Sequence, residues 1–296
     1  MLKGRLGLAT ARIPQVDRHG LLWLGRGRLF VEDGTLRFVT AGTEEMLAGD
    51  YAIPFQMLTG ILIQPGTTVS HDALRLLARH GTGLVAVAEG GVRFYASMPF
   101  GPDDSARARR QAILWADEES RLHTARRMYA WRLGEVFPDA QIEVLRGMEG
   151  ARVKETYRRL AERFGVQWRH RRYDRDRPDW ADLPNQALNH ASSAVYAAAE
   201  VAVAVTGTIP QLGFIHEDSG IAFALDIADL FRDSVTVPIA FSAAKSFMAE
   251  RLHGETTVER HVRQHAGRLL RREQVIGKMI DRIKELLDAD DRGGDA

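Results

Sequence analysis

Apolar and polar positions alternate in short runs through the first third of the chain and switch to a helical period over the remainder. Leu21–Leu24 and Gly27–Val31 read as strands, and Thr35–Val39 follows the turn Glu32-Asp33-Gly34. An Asp-Gly pair between apolar runs is a strong hairpin signal. Gln56–Gln64 is a further strand, closed by Pro65-Gly66. Ser70 reads as the cap of a helix over His71–Arg79, stopped by Gly81. Leu84–Ala88 and Val92–Tyr95 then pair across Gly90-Gly91, giving a compact sheet with one helix that ends near Ser97.

Met98–Ser105, with two prolines, a glycine and two aspartates, reads as a linker. Beyond it the period predicts helices over Ala106–Arg132, Glu143–Phe164, Leu188–Val205, Ile221–Phe231, Ala240–Leu252 and Val258–Leu287. Arg169–Pro184 is a polar loop between two of them, and Asp288–Ala296 an acidic, flexible tail. The expected architecture is α+β: a small N-terminal β-rich domain (1–97), a linker (98–105), a larger all-helical domain (106–287) and the tail (288–296).

Composition narrows the chemistry. The 296 residues are 45% hydrophobic and 27% charged, enough for a sizeable packed core. There are no cysteines, which excludes disulfides, zinc–thiolate sites and cysteine nucleophiles. Met1-Leu2-Lys3-Gly4-Arg5 leads into polar sequence without a signal-peptide core, and Ala191–Val205, interrupted by Glu200, is too short and weakly apolar to span a bilayer. A cytoplasmic protein that makes no use of membranes is expected. Gly25-Arg26-Gly27 lacks the strand–glycine–helix context of a phosphate loop.

Net charge is only +1, but its distribution is uneven. Between Arg146 and Arg177 eleven Lys/Arg stand against five Asp/Glu, with Tyr157, Trp168 and Tyr173 interleaved, and a second basic stretch runs from Arg260 to Arg272. Arginine grips phosphates with a planar fork, so the first stretch is a candidate nucleic-acid face; a solvated helix surface has the same composition.

The sharpest chemical signal is Ala224-Leu225-Asp226-Ile227-Ala228-Asp229-Leu230, whose two aspartates lie ten and thirteen residues after His216. A spacing of three puts both carboxylates on one helix face. Two acids beside a core need positive charge, supplied by a divalent cation or by an arginine. His216 offers a nitrogen ligand if its loop folds back. A third acid, Glu149, lies early in a helix between Gly147 and Gly150, with Arg146 and Arg152 outside them; the glycines would let another chain or a phosphate backbone come close.

Arg-Gly-Met-Glu-Gly-Ala-Arg (146–152), Tyr157, Gly165, Trp168 with Arg171-Arg172-Tyr173-Asp174, Asn189-His190-Ala191-Ser192-Ser193 with Tyr196, Gly213-Phe214-Ile215-His216 and Asp226-Ile227-Ala228-Asp229 follow one another in an order that resembles the CRISPR adaptation integrases. These are CRISPR-associated DNA endonucleases that insert spacers, and the resemblance is to the subtype I-E form. It implies that the helical domain is catalytic, that the β domains mediate homodimerisation, and that Glu149, His216 and Asp229 are catalytic metal ligands, with Asp226 supporting them from behind or serving as an auxiliary ligand. It further implies a small ferredoxin-like CRISPR-associated partner, two integrase dimers assembling around one partner dimer. Ile239 follows Pro238 where the family often carries a lysine, while Arg232 keeps a charge beside Asp229.

A carboxylate–imidazole–carboxylate set suits Mn2+ or Mg2+. His216 must be neutral to coordinate, so activity should fall at acid pH. The expected reaction is attack of a 3′-hydroxyl of captured double-stranded DNA on a phosphodiester of the CRISPR repeat, with water as the alternative nucleophile. Arg93, Arg146, Arg152, Lys154, Arg171, Tyr173 and Arg232 are the expected DNA contacts. Tyr196 either orients DNA or is a core tyrosine on an alanine-rich helix. Two other readings remain: a non-catalytic DNA-binding scaffold whose acids are salt-bridge partners, and a metal-dependent phosphohydrolase of small substrates, which would need a deep pocket.

Overall fold

The computed structural model describes residue 18 and residues 20–43, 46–97, 106–172, 181–250 and 257–288. Tyr173, the 98–105 linker and residues 289–296 of the tail lie outside the described residues. Strands β1 (Leu21–Leu24), β2 (Gly27–Glu32), β3 (Thr35–Thr40), β4 (Gly49–Ala52), β5 (Gly60–Ile63) and β6 (Thr67–Val69) precede helix α1 (His71–His80); β7 (Gly83–Val87) and β8 (Phe94–Ser97) follow it. The β2–β3 hairpin forms as the sequence predicts, with Asp33 and Gly34 both at positive φ (48° and 78°) as its two-residue turn requires. Ser70 Oγ accepts from the Ala73 amide, and Gly81 closes α1 in the left-handed conformation.

The strands make two sheets rather than the single one expected. One has the order β1-β5-β7-β8, with β1, β5 and β7 parallel; the other has the order β4-β3-β2-β6. Parallel pairing joins residues far apart in sequence, so no local turn signal announces it. The predicted strand Gln56–Gln64 is reduced to β5, preceded by a 3-10 turn at Phe55–Met57. Strands β4 and β6, of four and three residues, are too short to show a period.

Side chains of the first sheet divide between two cores. Leu24, Ile61 and Leu84 pack with Leu29, Leu36 and Phe38 of the second sheet and Leu77 of α1. Leu62, Val85 and Val87 belong instead to the large core of the helical region.

That region comprises α2 (Ala106–Ala116), α3 (Glu118–Leu133), α4 (Ile142–Phe164), α5 (Leu183–Thr206), α6 (Ala222–Asp229), α7 (Val237–Glu250), α8 (Val258–Arg272) and α9 (Val275–Leu287). The alanine-rich α5 is buried over most of its surface, because small side chains let its neighbours approach from several directions. Its last turn meets the first sheet: a Cβ at Gly60 or Gly83 would lie 3.0 or 3.3 Å from Val205 Cγ1. At the same seam Gly90 (φ 69°) faces Gly267 of α8, and a Cβ at Gly90 would come 2.8 Å from the Gly267 Cα.

Two predicted helices are each broken once. Asp117 ends α2 and caps α3 by accepting from the Ser120 amide, and Gln274, at φ 50°, separates α8 from α9. Helix α5 begins five residues before the predicted Leu188, because Asp182 caps it and Pro184 fits its first turn. A π-helical turn, Arg232–Thr236, runs directly into α7, which therefore starts before the predicted Ala240.

Candidate functional site

The loop from Gly207 to Ile221 folds back over α6, as a shared site for His216 and the two aspartates requires. Gln111 of α2 holds the loop's base, donating to the carbonyls of Ile209 and Leu212 (both 2.9 Å) and accepting from the Ile209 amide, while Trp115 Nε1 donates to the Gly213 carbonyl. Gly213 is needed where it stands, since a Cβ would lie 2.3 Å from the His216 carbonyl oxygen.

Asp226 fixes the loop's tip. Its Oδ2 accepts from the amides of Phe214 (2.6 Å) and Ile215 (3.0 Å), and its Oδ1 from the His216 amide (2.9 Å). Oδ1 also lies 2.7 Å from His216 Nδ1. The Asp226 side chain is wholly buried, and a carboxylate holding Nδ1 sets both tautomer and ring orientation. Nε2 is thereby turned toward Asp229, with its Oδ2 3.9 Å away. The bond to Asp226 raises the His216 pKa; burial opposes it, and the charges of Asp226, Asp229 and Glu149 add to it.

Glu149, on α4, reaches the same place from the other side. Arg132, at the end of α3, joins it to Asp229: Arg132 Nη1 is 2.6 Å from Glu149 Oε1 and 3.4 Å from Asp229 Oδ2. The other Asp229 oxygen, Oδ1, accepts from Arg232 through Nη2 (2.5 Å) and Nε (3.1 Å). Arg232 Nη1 also donates to the Tyr157 hydroxyl at 3.3 Å. Burial works most strongly against the charge of Arg232, but Asp229 together with Tyr157 and Tyr196 raises its pKa on balance. Tyr129, fully buried one turn before Arg132, has its phenol pushed up by burial and by Glu149.

Glu149, His216 and Asp229, inferred from sequence, thus converge, and Asp226 stands behind His216 with its oxygens engaged. Arginine, one of the two cations considered for the acids, is present twice. Tyr129, Arg132 and Tyr157 complete the cluster without having been singled out as site residues. Two donors bound to one Mg2+ at right angles sit about 3 Å apart, so His216 Nε2 and Asp229 Oδ2, 3.9 Å from one another, do not stand at right angles on a common ion. Among the described residues no group of three or more His, Asp or Glu is drawn close enough to hold an ion. The donor types fit a Mg2+ or Mn2+ ion, and a guanidinium stands between the two acids.

The expected DNA contacts fall into different settings. Arg152 and Lys154 are exposed on α4, Arg152 lying 3.8 Å from Glu135. Arg146 is exposed and donates to the Ile215 carbonyl (2.8 Å), bracing the His216 loop. Arg93 pairs with Glu259 of α8 at 2.9 Å. Arg171 is half-buried and donates to Asn189 (2.7 Å) and Asn185 (3.2 Å) of α5, where it anchors its own segment. Tyr196 is half-buried on α5; burial and the Asp229 charge raise its pKa while Arg232 opposes them, so it borders the acid cluster. Tyr157 and Trp168 meet edge to face (5.2 Å) and both pack with Phe241, so these two interleaved aromatics are core residues.

A strand-rich region packed on a helical one is also the fold of DNA-associated proteins of known structure. The crystal structure of a TtCas1–DNA complex aligns at a TM-score of 0.78 with 33% identity, over 92% of this chain and 97% of that one. A casposase bound to integration product aligns at 0.61 with 17% identity, covering 92% and 96%, a likeness of fold alone. The family model described as CRISPR associated protein Cas1 matches residues 22–137 and 132–270. A CRISPR-associated endonuclease Cas1 of Methanospirillum hungatei is 40% identical over 278 residues, 94% of this chain and 89% of its own length. That of Escherichia coli K12 is 37% identical over 94% and 87%. The chain belongs to the Cas1 family of CRISPR-associated endonucleases. No helix among the described residues is long and apolar enough to cross a membrane.

Proposed function

We propose that this chain is a metal-dependent DNA integrase of the subtype I-E kind, which inserts short foreign DNA as new spacers into a CRISPR array. The carrying observation is the convergence of Glu149, Asp229 and the Nε2 face of His216, the last oriented by Asp226. Glu149, His216 and Asp229 would hold a Mg2+ or Mn2+ ion, which would supply Lewis-acid charge at the scissile phosphate. The chain need supply no nucleophile. The 3′-oxygen of the captured strand forms the new bond to phosphorus, and the bond from phosphorus to the repeat's 3′-oxygen breaks. The proton lost by the attacking hydroxyl balances the one taken up by the leaving oxygen. In hydrolysis water takes the attacking place.

Duplex DNA with free 3′ ends is the proposed substrate, in keeping with the DNA bound in the TtCas1 complex. Room for it lies over α4, where a Cβ at Gly147 or Gly150 would meet nothing within 4 Å among the described residues. Exposed Arg152 and Lys154 follow on the same helix and would contact phosphates without reading sequence. Arg146 would reach the backbone while holding the His216 loop. A homodimer, pairing in turn with a small ferredoxin-like CRISPR-associated protein, is the proposed assembly; its support is the motif order of residues 146–229.

One observation favours a second reading. Each acid around His216 already has a partner within the chain, Arg132, Arg232 or the loop amides, as in a DNA-binding scaffold of the same pathway without catalysis. The small-substrate phosphohydrolase reading finds less support. A cavity of about 470 Å3 among the described residues is lined by Arg18, Trp23, Arg271 and Lys284 among others, and no residue of the acid cluster lines it.

Strand joining into a supercoiled, repeat-containing plasmid with Mn2+ present separates the readings. Glu149→Ala, His216→Ala and Asp229→Ala should each reduce joining to background while DNA binding persists. Near wild-type joining by any one of them removes that residue from the site, and absence of joining by the wild-type chain in its full assembly favours the scaffold.

A further inference from the structure

We infer that Arg132 is a built-in counter-cation of the Glu149–Asp229 pair, standing where a divalent ion would be held and competing with it. This inference rests on the metal-site reading above.

A single atom, Arg132 Nη1, touches both acids, at 2.6 Å from Glu149 Oε1 and 3.4 Å from Asp229 Oδ2. That Asp229 oxygen is also the one nearest His216 Nε2. The oxygen turned away from the imidazole is already engaged by Arg232. The space between Glu149 and the Asp229 oxygen nearest His216 is therefore occupied by one guanidinium nitrogen. Arg232 is no equivalent competitor, because it binds the far oxygen and can remain while an ion is held.

Burial explains why a cation must be there at all. The Arg132 side chain is 7% exposed and that of Asp229 12%, so two carboxylates left without positive charge would repel one another in a poorly hydrated place. Arg132 removes that repulsion and keeps the acids near one another before any ion arrives. Its hold is incomplete. Arg132 Nη2 is buried without a hydrogen-bond partner, so the side chain lacks the bidentate fit that makes a buried arginine–carboxylate pair hard to part. Arg132 also lies in the last turn of α3, two residues before the Gly134 cap (φ 73°), so it is held by the end of the helix rather than its middle. Arg132 is thus a positioning residue: it shapes the site in the ion-free state and yields its place when an ion binds.

The competition gives a sign that ordinary structural damage would not. Removing a unit positive charge from between the ligands should tighten metal binding, whereas a loosened fold would weaken it. Mn2+ binding to the full-length protein, measured by calorimetry and by the melting temperature in chelator against Mn2+, tests this with no activity readout. Arg132→Gln and Arg132→Met should each melt lower than wild type in chelator, gain more on Mn2+ addition, and bind Mn2+ about tenfold tighter or more. Arg132→Lys, which keeps the charge, should stay near wild type. Equal or weaker Mn2+ affinity in the folded Gln and Met variants, with wild-type binding intact, overturns the role of Arg132 and leaves the metal site standing. No Mn2+ binding by wild type or any Arg132 variant overturns both.

Discussion

Asp226 accepts three backbone amides and holds one imidazole nitrogen, which makes it the keystone of the His216 loop as well as its orienting group. Removing an acceptor leaves its buried donors unsatisfied at about 1–3 kcal/mol each. Asp226→Ala should therefore lower the unfolding free energy by about 3 kcal/mol or more and remove joining activity through collapse of the loop, a larger effect than the roughly 10–100-fold typical of a group behind a ligand. Chemical denaturation of the variant checks it, and a wild-type midpoint would show that the loop stands without the carboxylate. That Asp226 and Asp229 share one helix face was legible in the sequence, because a spacing of three fixes it; that His216 meets them depends on how its loop folds, which the spacing left open. Arg132 and Tyr129 were not legible. They sit on a helix for which the sequence predicts only its period, and only the tertiary approach of α3 to α4 brings these two to Glu149.

Helix α4 carries Arg146, Gly147, Glu149, Gly150, Arg152 and Lys154 between its first turn and its middle, and its limits were predicted to one residue. Glycine inside a helix is disfavoured by about 1 kcal/mol relative to alanine, and among the described residues no atom packs where either glycine lacks its Cβ. Intramolecular packing therefore does not account for them, whereas close approach of a DNA backbone would. Gly147→Ala and Gly150→Ala should each raise stability by roughly 0.5–1 kcal/mol and weaken DNA binding; a variant that gains stability and binds DNA as tightly as wild type would leave the glycine without that role. Charge reversal at Arg152 and Lys154 should flatten the dependence of log K on log salt by about 0.9 for each phosphate no longer neutralised. An unchanged slope would make them a solvated surface. At this scale the sequence misled where local chemistry interrupts a continuous period, at Asp117 and Gln274, and where strands pair in parallel across long separations.

For the whole molecule, the strand-rich and helical regions share a core, so the first sheet has no free face: Leu62, Val85 and Val87 pack with the helices. Residues 1–97 alone would expose them, and the dimer expected from the β-rich region has to be sought in the full chain. Sheet edges are liabilities unless covered, and β4 and β6 are the edges of the second sheet. Apolar surface lies nearby: Val39 of β3 is 40% exposed, Leu47 in the following loop 83% and Met57 in the 3-10 turn 61%. An isologous two-fold contact would cover an edge and such residues together. Sedimentation equilibrium of the 33.0 kDa chain should give twice that mass, and Val39→Glu with Leu47→Glu should return it to the monomer while leaving the melting temperature of the protomer nearly unchanged. Such a dimer would set two Glu149–His216–Asp229 clusters apart. When two dimers meet on a partner, one cluster from each would suffice, because a captured duplex presents two 3′ ends to be joined. A wild-type chain that sediments as a monomer at micromolar concentration would assign the pairing of sites to the partner protein, and a double variant that stays dimeric would move the interface to the helical region.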